Sequence, residues 1–269
     1  MRLVNGQLNG TLDVRDRGLA YGDGVFRTLR TEAGKPLWWR DHLTKLGSDC
    51  AALGLPCPDA DVLYHEVCEL AEATAGVVKI VITRGAGARG YAPPDAQPAT
   101  RLVLSSPLPD YAQTAAPNTI RARWCALRLS RQPRLAGVKH LNRLENVLAR
   151  AEWRDPAVFE GLLCDDTGAV IGGTMSNLLC IIAGELHTPD LDECGVAGVA
   201  RSRLLRAAER HGLKPHIGRL TPAVILAADE LMICNSVMGL RQIGQLGDTF
   251  WPPGRWFSRL QKTLNEDLD

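Results

Sequence analysis

The sequence has no excess of charge of either sign, no long apolar run, no paired-cysteine spacing and no internal repeat. With 31 basic against 30 acidic residues the net charge is +1, which offers no basic face to nucleic acid or to an anionic membrane. No stretch approaches the ~20 apolar residues of a spanning helix, and Met1-Arg2-Leu3-Val4-Asn5-Gly6 has no signal-peptide core. These absences predict a cytosolic, cytoplasmic protein. The eight cysteines include no C-x-x-C pair and no zinc-like spacing, so they are expected to be small buried hydrophobes kept reduced, and no metal is expected. What is present is a 45% hydrophobic chain of 269 residues, enough core for two small domains or one large one.

Strands and helices alternate in the first half. Asn5-Gly6 between short apolar segments reads as a hairpin turn, and 25–31 as a strand. Helices are predicted over 40–53, with Leu43, Leu46, Cys50 and Leu53 on one face, and over 60–74. Val77 to Thr83 reads as a buried strand paired with 101–105, and prolines 107, 109 and 117 punctuate an interdomain linker over 107–117. This divides the chain into an N-terminal domain, 1–106, and a C-terminal domain, 118–269. In the latter, strands are expected at 161–164, 169–171, 177–182 and 231–234, with helices at 200–211, after Thr221-Pro222 and at 256–264.

One lysine is singled out. In Gly137-Val138-Lys139-His140-Leu141-Asn142-Arg143-Leu144-Glu145, Leu141, Leu144, Leu148 and Ala151 form an apolar stripe at helical spacing. Lys139 is thereby expected at the edge of a core, carried by the C-terminal domain. A lysine there loses hydration, which favours the free amine as nucleophile or base, and such amines form Schiff bases with carbonyls. Gly195-Val196-Ala197-Gly198-Val199 leads straight into a helix, so unpaired N–H groups and the positive end of the helix dipole meet at Gly198 and Val199, where an anion would bind. Gly85-Ala86-Gly87-Ala88-Arg89-Gly90 fits a dinucleotide fingerprint, but Tyr91-Ala92-Pro93-Pro94 forbids the helix that motif must open. A loop presenting Arg89 and Tyr91 is the expectation instead.

The lysine segment resembles that of the 4-amino-4-deoxychorismate lyases, in the fold-type IV class of pyridoxal-phosphate enzymes. Further pieces match in order: Val4-Asn5-Gly6, Asp16-Arg17-Gly18, Tyr21-Gly22-Asp23-Gly24-Val25-Phe26, His42-Leu43-Thr44-Lys45-Leu46, Thr83-Arg84-Gly85, Arg89-Gly90-Tyr91, Ser176-Asn177-Leu178, the 195–199 turn, and Asp229-Glu230-Leu231-Met232-Ile233-Cys234-Asn235. The resemblance implies a two-domain α/β or α+β fold, a homodimer, and pyridoxal 5'-phosphate in an interdomain cleft. Lys139 would anchor the cofactor and serve as base and acid in the elimination that gives pyruvate and 4-aminobenzoate, a precursor for folate biosynthesis. The phosphate would be held by Gly198 and Val199 with Asn235 and Ser236, and Asn142 would orient the anchor. Arg89 and Tyr91 would cover the substrate, where an arginine fork suits carboxylates.

Two positions depart from the class. Lys45 stands where the class has a phosphate-clamping arginine; it keeps the charge without the fork, so weaker cofactor retention is expected. Gly172 stands where the class has the glutamate that pairs with the pyridine nitrogen, and Asp165 and Asp166, in a predicted turn, are poor substitutes. Losing that partner weakens the electron sink. An aminotransferase, D-amino-acid or branched-chain, must hold a full carbanion and suffers most, whereas a lyase is driven by aromatisation of its product. Gly172→Glu is expected to raise turnover. An aminotransferase and a non-catalytic cofactor-binding homologue are the alternatives.

Overall fold

In the computed structural model, which describes residues 1–94, 98–113 and 119–267, the chain forms two compact units. The first comprises Met1–Pro109 and Val138–Asn142; the second comprises Asp110–Gly137 and Arg143–Leu268. Of the linker expected at 107–117, Pro107 ends a strand, 110–112 form a 3-10 turn, and 114–117 lie outside the described residues.

The first unit is a six-stranded sheet with three helices. Its strands are β1 (Arg2–Val4), β2 (Gln7–Leu8), β3 (Gly24–Glu32), β4 (Lys35–Pro36), β5 (Gly76–Thr83) and β6 (Thr100–Pro107), in the order β2-β1-β6-β5-β3-β4. All pairs are antiparallel. The Asn5-Gly6 hairpin is present, with both residues at positive φ (50° and 82°), as a tight two-residue turn requires. The helices are α1 (Arg17–Tyr21), α2 (Trp39–Ala52) and α3 (Ala60–Leu70). Asp59 caps α3 by accepting from the N–H groups of Asp61 and Val62. That helix ends four residues earlier than its sequence pattern suggests, at Leu70, and the Glu72 carbonyl accepts from Gly34 N–H instead of continuing it. Leu46, Cys50, Leu63, Val67 and Leu70 from α2 and α3 pack on Leu29, Val78, Ile80 and Ile82 of the sheet.

The second unit contains β7 (Thr119–Leu129), β8 (Val158–Asp165), β9 (Val170–Gly173), β10 (Asn177–Ile182), β11 (Glu185–Pro189), β12 (Pro215–Gly218), β13 (Glu230–Asn235), β14 (Gly239–Leu246) and β15 (Thr249–Phe250). The sheet order is β12-β11-β10-β13-β14-β7-β8-β9, with β15 on β14. Its helices are α4 (Leu144–Arg150), α5 (Val199–Arg210), α6 (Pro222–Leu226) and α7 (Arg255–Glu266). The strands at 119–129 and 239–246 carry no clean alternation and escaped sequence reading; their partners lie far along the chain, β7 pairing in parallel with both β8 and β14.

Two expectations about the lysine segment are corrected. The residues Val138–Asn142 belong to the first unit, not to the C-terminal one. They are extended and pair with β3: Phe26 N–H donates to the Lys139 carbonyl and Leu141 N–H to the Gly24 carbonyl, each at 2.9 Å. Val138 is buried in the first unit's core. Because this stretch is taken up by strand pairing, α4 begins only at Leu144, and the apolar stripe is not a buried one. Leu144, Val147 and Leu148 are 68%, 60% and 54% exposed, and Ala149 is the buried residue of that helix.

Candidate active site

Lys139 is held from three sides within the first unit. Its carbonyl accepts from Phe26, its N–H donates to Asp49 Oδ2 at 3.2 Å, and its Nζ lies 4.5 Å from the centroid of the Phe26 ring. A cation over an aromatic face gains about 0.5–2 kcal/mol, so the ring fixes the direction of the side chain. The backbone is thus placed by sheet pairing and the amine by Phe26, a residue of the Tyr21-Gly22-Asp23-Gly24-Val25-Phe26 motif.

Asp49 was not anticipated. It is wholly buried on α2 and pairs with Lys45 one helical turn earlier, with the buried Arg27 of β3, and with the Lys139 N–H. Lys45 is therefore engaged by a carboxylate of its own helix. Burial and the Arg27 guanidinium push the Lys45 ammonium down to about 8, against the pull of Asp49; burial pushes Arg27 down to about 10. The i,i+4 spacing of Lys45 and Asp49 was a legible signal; Arg27, in the middle of a strand, had none.

Asn142 is exposed, and its Nδ2 donates to the carbonyl of Gly22 at 3.3 Å. Gly22 ends α1 at φ 66°, and a Cβ there would meet Asn142 Oδ1 at 2.3 Å. Asn142 thus ties the lysine segment to the glycine turn.

The loop carrying Arg89 and Tyr91 is irregular over 87–94, as Pro93 and Pro94 dictate. The buried Arg17 organises it: Nη1 donates to the Gly90 carbonyl (2.9 Å), Nη2 to that of Tyr91 (3.0 Å), and Nε to Asp23 (2.9 Å). Burial raises the Asp23 carboxyl, yet hydrogen bonds from Arg84 and Arg17 hold it below its ordinary value. The side chain of Arg89 is exposed, and that of Tyr91 is 84% exposed, its ring 5.4 Å from that of Tyr21. Arg17 was visible in the sequence only as part of a motif without a role.

In the second unit the 195–199 turn precedes α5 with Gly198 as the N-cap. Asn177 Oδ1 accepts from Gly198 N–H at 3.1 Å, and Asn177 Nδ2 donates to the Val196 carbonyl at 2.7 Å. A Cβ on Gly198 would stand 2.2 Å from Asn177 Oδ1, which explains the glycine. Since Asn177 occupies the Gly198 N–H, the donors facing an anion are those of Val199 and its successors in the first helical turn, which have no carbonyl partner within the helix. Gly137 sits on the same turn, donating to the Gly195 carbonyl (3.1 Å) and accepting from Ala197 (3.0 Å). Lys139 follows Gly137 by two residues of chain.

Asn235 Oδ1 accepts from the N–H groups of Val237 and Met238, both at 2.9 Å, and Nδ2 donates to the Met175 carbonyl at 3.1 Å. It therefore shapes the turn that presents Ser236.

Gly172 lies on β9 opposite Leu163. Glu160, fully buried and missed by sequence reading, does not replace the absent acid. Its two oxygens accept from the N–H groups of Gly161, Thr174 and Met175 and the hydroxyls of Thr174 and Ser176, at 2.6–3.3 Å. Those bonds brace the 173–176 loop. Asp165 is occupied by Thr167 and Ala169, and Asp166 pairs with Arg131, so neither reaches back to position 172. A Cβ at Gly172 would stand 2.8 Å from the Ser176 carbonyl oxygen. That contact is with backbone, so Gly172→Glu forces the 173–176 loop to shift and is expected to lower the melting midpoint, raising turnover where the loop accommodates it. Turnover and melting midpoint measured together test this; an unchanged rate in a folded variant would mean that the missing acid does not limit turnover.

A 4-amino-4-deoxychorismate lyase from Pseudomonas aeruginosa is 43% identical, with each chain fully covered and a TM-score of 0.93. An aminodeoxychorismate lyase of Vibrio harveyi is 31% identical over 97% of this chain and 98% of its own. The branched-chain amino acid aminotransferase of Escherichia coli shares the fold at 20% identity, covering 99% and 94% of the chains with a TM-score of 0.87. The amino-transferase class IV model matches residues 24–246, and the chain, with the fold-type IV architecture of these enzymes, belongs to the amino-transferase class IV family.

Proposed function

We propose that this protein is a pyridoxal-phosphate-dependent lyase that converts 4-amino-4-deoxychorismate to 4-aminobenzoate and pyruvate, serving folate biosynthesis in the cytoplasm. The observation that carries the reading is Lys139, fixed at its backbone by Phe26 and Asp49 and joined through Gly137 to a glycine turn that opens a helix. The two lyase relatives supply the substrate. All eight cysteines are free, as a reducing compartment would leave them.

By their chemistry the residues suit the aldehyde and the phosphate of the cofactor. Lys139 Nζ would hold it, and its phosphate would be taken by the N–H of Val199 and by Ser236, with Lys45 supplying a cation. At the ring nitrogen Gly172 offers no side chain. When bound, pyridoxal phosphate supplies an electron sink for the carbon that carries the substrate's nitrogen. Lys139 Nζ, as the neutral amine, would remove the proton from that carbon as the bond to the enolpyruvyl oxygen breaks. The resulting ammonium returns the proton to the departing enol, which becomes pyruvate. Arg89, on the loop pinned by Arg17, would receive a substrate carboxylate and Tyr91 would cover it. The exposed Leu144, Val147 and Leu148 on α4 support a homodimer that covers them; light scattering at the mass of one chain would refute that.

The deciding assay is 4-aminobenzoate formation from 4-amino-4-deoxychorismate by the purified protein with added pyridoxal phosphate. Product supports the lyase. Its absence, with keto acid formed from amino-acid donors instead, moves the function to transamination.

Lys45 gives this site a pH dependence. The ammonium is present below about pH 8 and lost as pH rises through that value. Cofactor retention should then weaken, by up to about tenfold per pH unit above 8. In Lys45→Arg the guanidinium stays charged, so retention should be stronger and flatter to pH 9.5. Parallel profiles for the two proteins, measured by equilibrium dialysis, would remove Lys45 from the phosphate site.

A further inference from the structure

A second cluster lies on the edge of the second unit's sheet, on elements that the reaction does not use. β11 alternates in burial, with Leu186 and Thr188 turned to the core and Glu185 and His187 on the opposite face. β12 pairs with it in parallel, His216 directly beside His187, and in-register neighbours project from the same face of a sheet. The two imidazoles stack with centroids 4.8 Å apart and planes 17° from parallel. Glu185 Oε2 stands 3.0 Å from His216 Nε2. One ligand atom from each of the three residues lies within 4.8 Å of the other two, and among the described residues this is the group of histidine, cysteine and acidic side chains so disposed.

We propose that Glu185, His187 and His216 form a binding site for a divalent transition-metal ion of the zinc or nickel class, independent of the cofactor site. Two imidazole nitrogens and one carboxylate oxygen are ligands that such ions prefer over the oxygen-only sets of calcium and magnesium. A tetrahedral ion with bonds of about 2.1 Å spaces its ligands by roughly 3.4 Å, so rotation of these side chains by about an ångström closes the site. Three protein ligands leave a position for water. The ion would clip β12, a four-residue edge strand with Ile217 58% exposed, to β11.

The test is calorimetric titration of the untagged, chelator-washed full chain with Zn²⁺ and, separately, Ni²⁺, with Co²⁺ absorption as a readout of the ligand set. The expected result is one equivalent bound by the parent, weakened at least about tenfold in His187→Gln and in His216→Gln. The parent's melting midpoint should rise with metal, and those of the variants should not. If a histidine variant fails to fold, Glu185→Gln, with its 52% exposed side chain, decides, and unchanged affinity there overturns the proposal. No saturable binding in the parent overturns it as well. So does binding that survives both histidine variants and disappears in Cys57→Ser, which would assign the metal to the exposed thiol of Cys57.

Discussion

Replacing Lys139 by alanine is expected to lower 4-aminobenzoate formation by at least about 10³-fold, since in the proposed reaction the one amine would serve as anchor, base and acid, and proton transfer alone contributes about 10²–10⁴-fold. The substitution should leave the fold in place. The segment around Lys139 is held by main-chain bonds from Phe26 to residue 139, from residue 139 to Asp49 and from Leu141 to Gly24, and none of these uses the lysine side chain. What is lost locally is the contact with the Phe26 ring. Stopped assays with saturating pyridoxal phosphate, beside a melting curve, give both quantities. A variant within tenfold of the parent would mean that another group moves the proton, and the role assigned to Lys139 would fall.

Asp49→Asn should be the most damaging change to stability. The carboxylate is completely buried and faces Arg27, whose side chain is 2% exposed, and Lys45. Removing one member of a buried pair strands the other charge, at about 3–5 kcal/mol. Asparagine retains an oxygen for the Lys139 N–H but supplies no charge to Arg27. In Asp49→Asn/Arg27→Met the stranded guanidinium is gone, so most of the loss should be recovered. Urea denaturation of the parent, Asp49→Asn, Arg27→Met and the double variant completes the cycle. A loss below about 1 kcal/mol for Asp49→Asn would show that the cluster is solvated and carries little of the first unit's stability.

The hub around Asp49 illustrates what local pattern could and could not convey. Helix α2 was recognisable from the spacing of Leu46 and Cys50, and Lys45 stood out as a departure from its class. Arg27 shares the face of β3 that carries Val25 and Leu29, and nothing in the local pattern said which acid it would meet there until β3 was placed between β5 and the lysine segment. Arg17 and Glu160 are similar cases. Each is a charged residue whose work is to collect backbone groups of a loop distant in sequence, 73 residues on for Arg17 and Gly90 and 14 on for Glu160 and Thr174. Periodicity carries no trace of such partners. The stripe Leu141, Leu144, Leu148 failed for a related reason: the spacing was helical, but pairing with β3 claimed residues 138–142 first, and the remaining helix turned its leucines outward. The two histidines of β11 and β12 became neighbours only through parallel strand pairing.

By itself, the sequence determined the family, singled out Lys139, placed the glycine turn before α5, and excluded a dinucleotide role for the 85–90 glycines. Those are local signals, in which a residue type and its immediate neighbours decide the backbone: Gly198 before a helix, Pro93 and Pro94 after a loop, Asn5-Gly6 in a hairpin. Tertiary structure decided that the lysine segment belongs to the first unit and that Asp49 holds it. It also decided that Asn177 takes up the Gly198 N–H and that Glu160 is spent on bracing a loop. Each of these depends on which distant group satisfies a buried donor or acceptor, and in a folded chain that choice is made by packing as a whole.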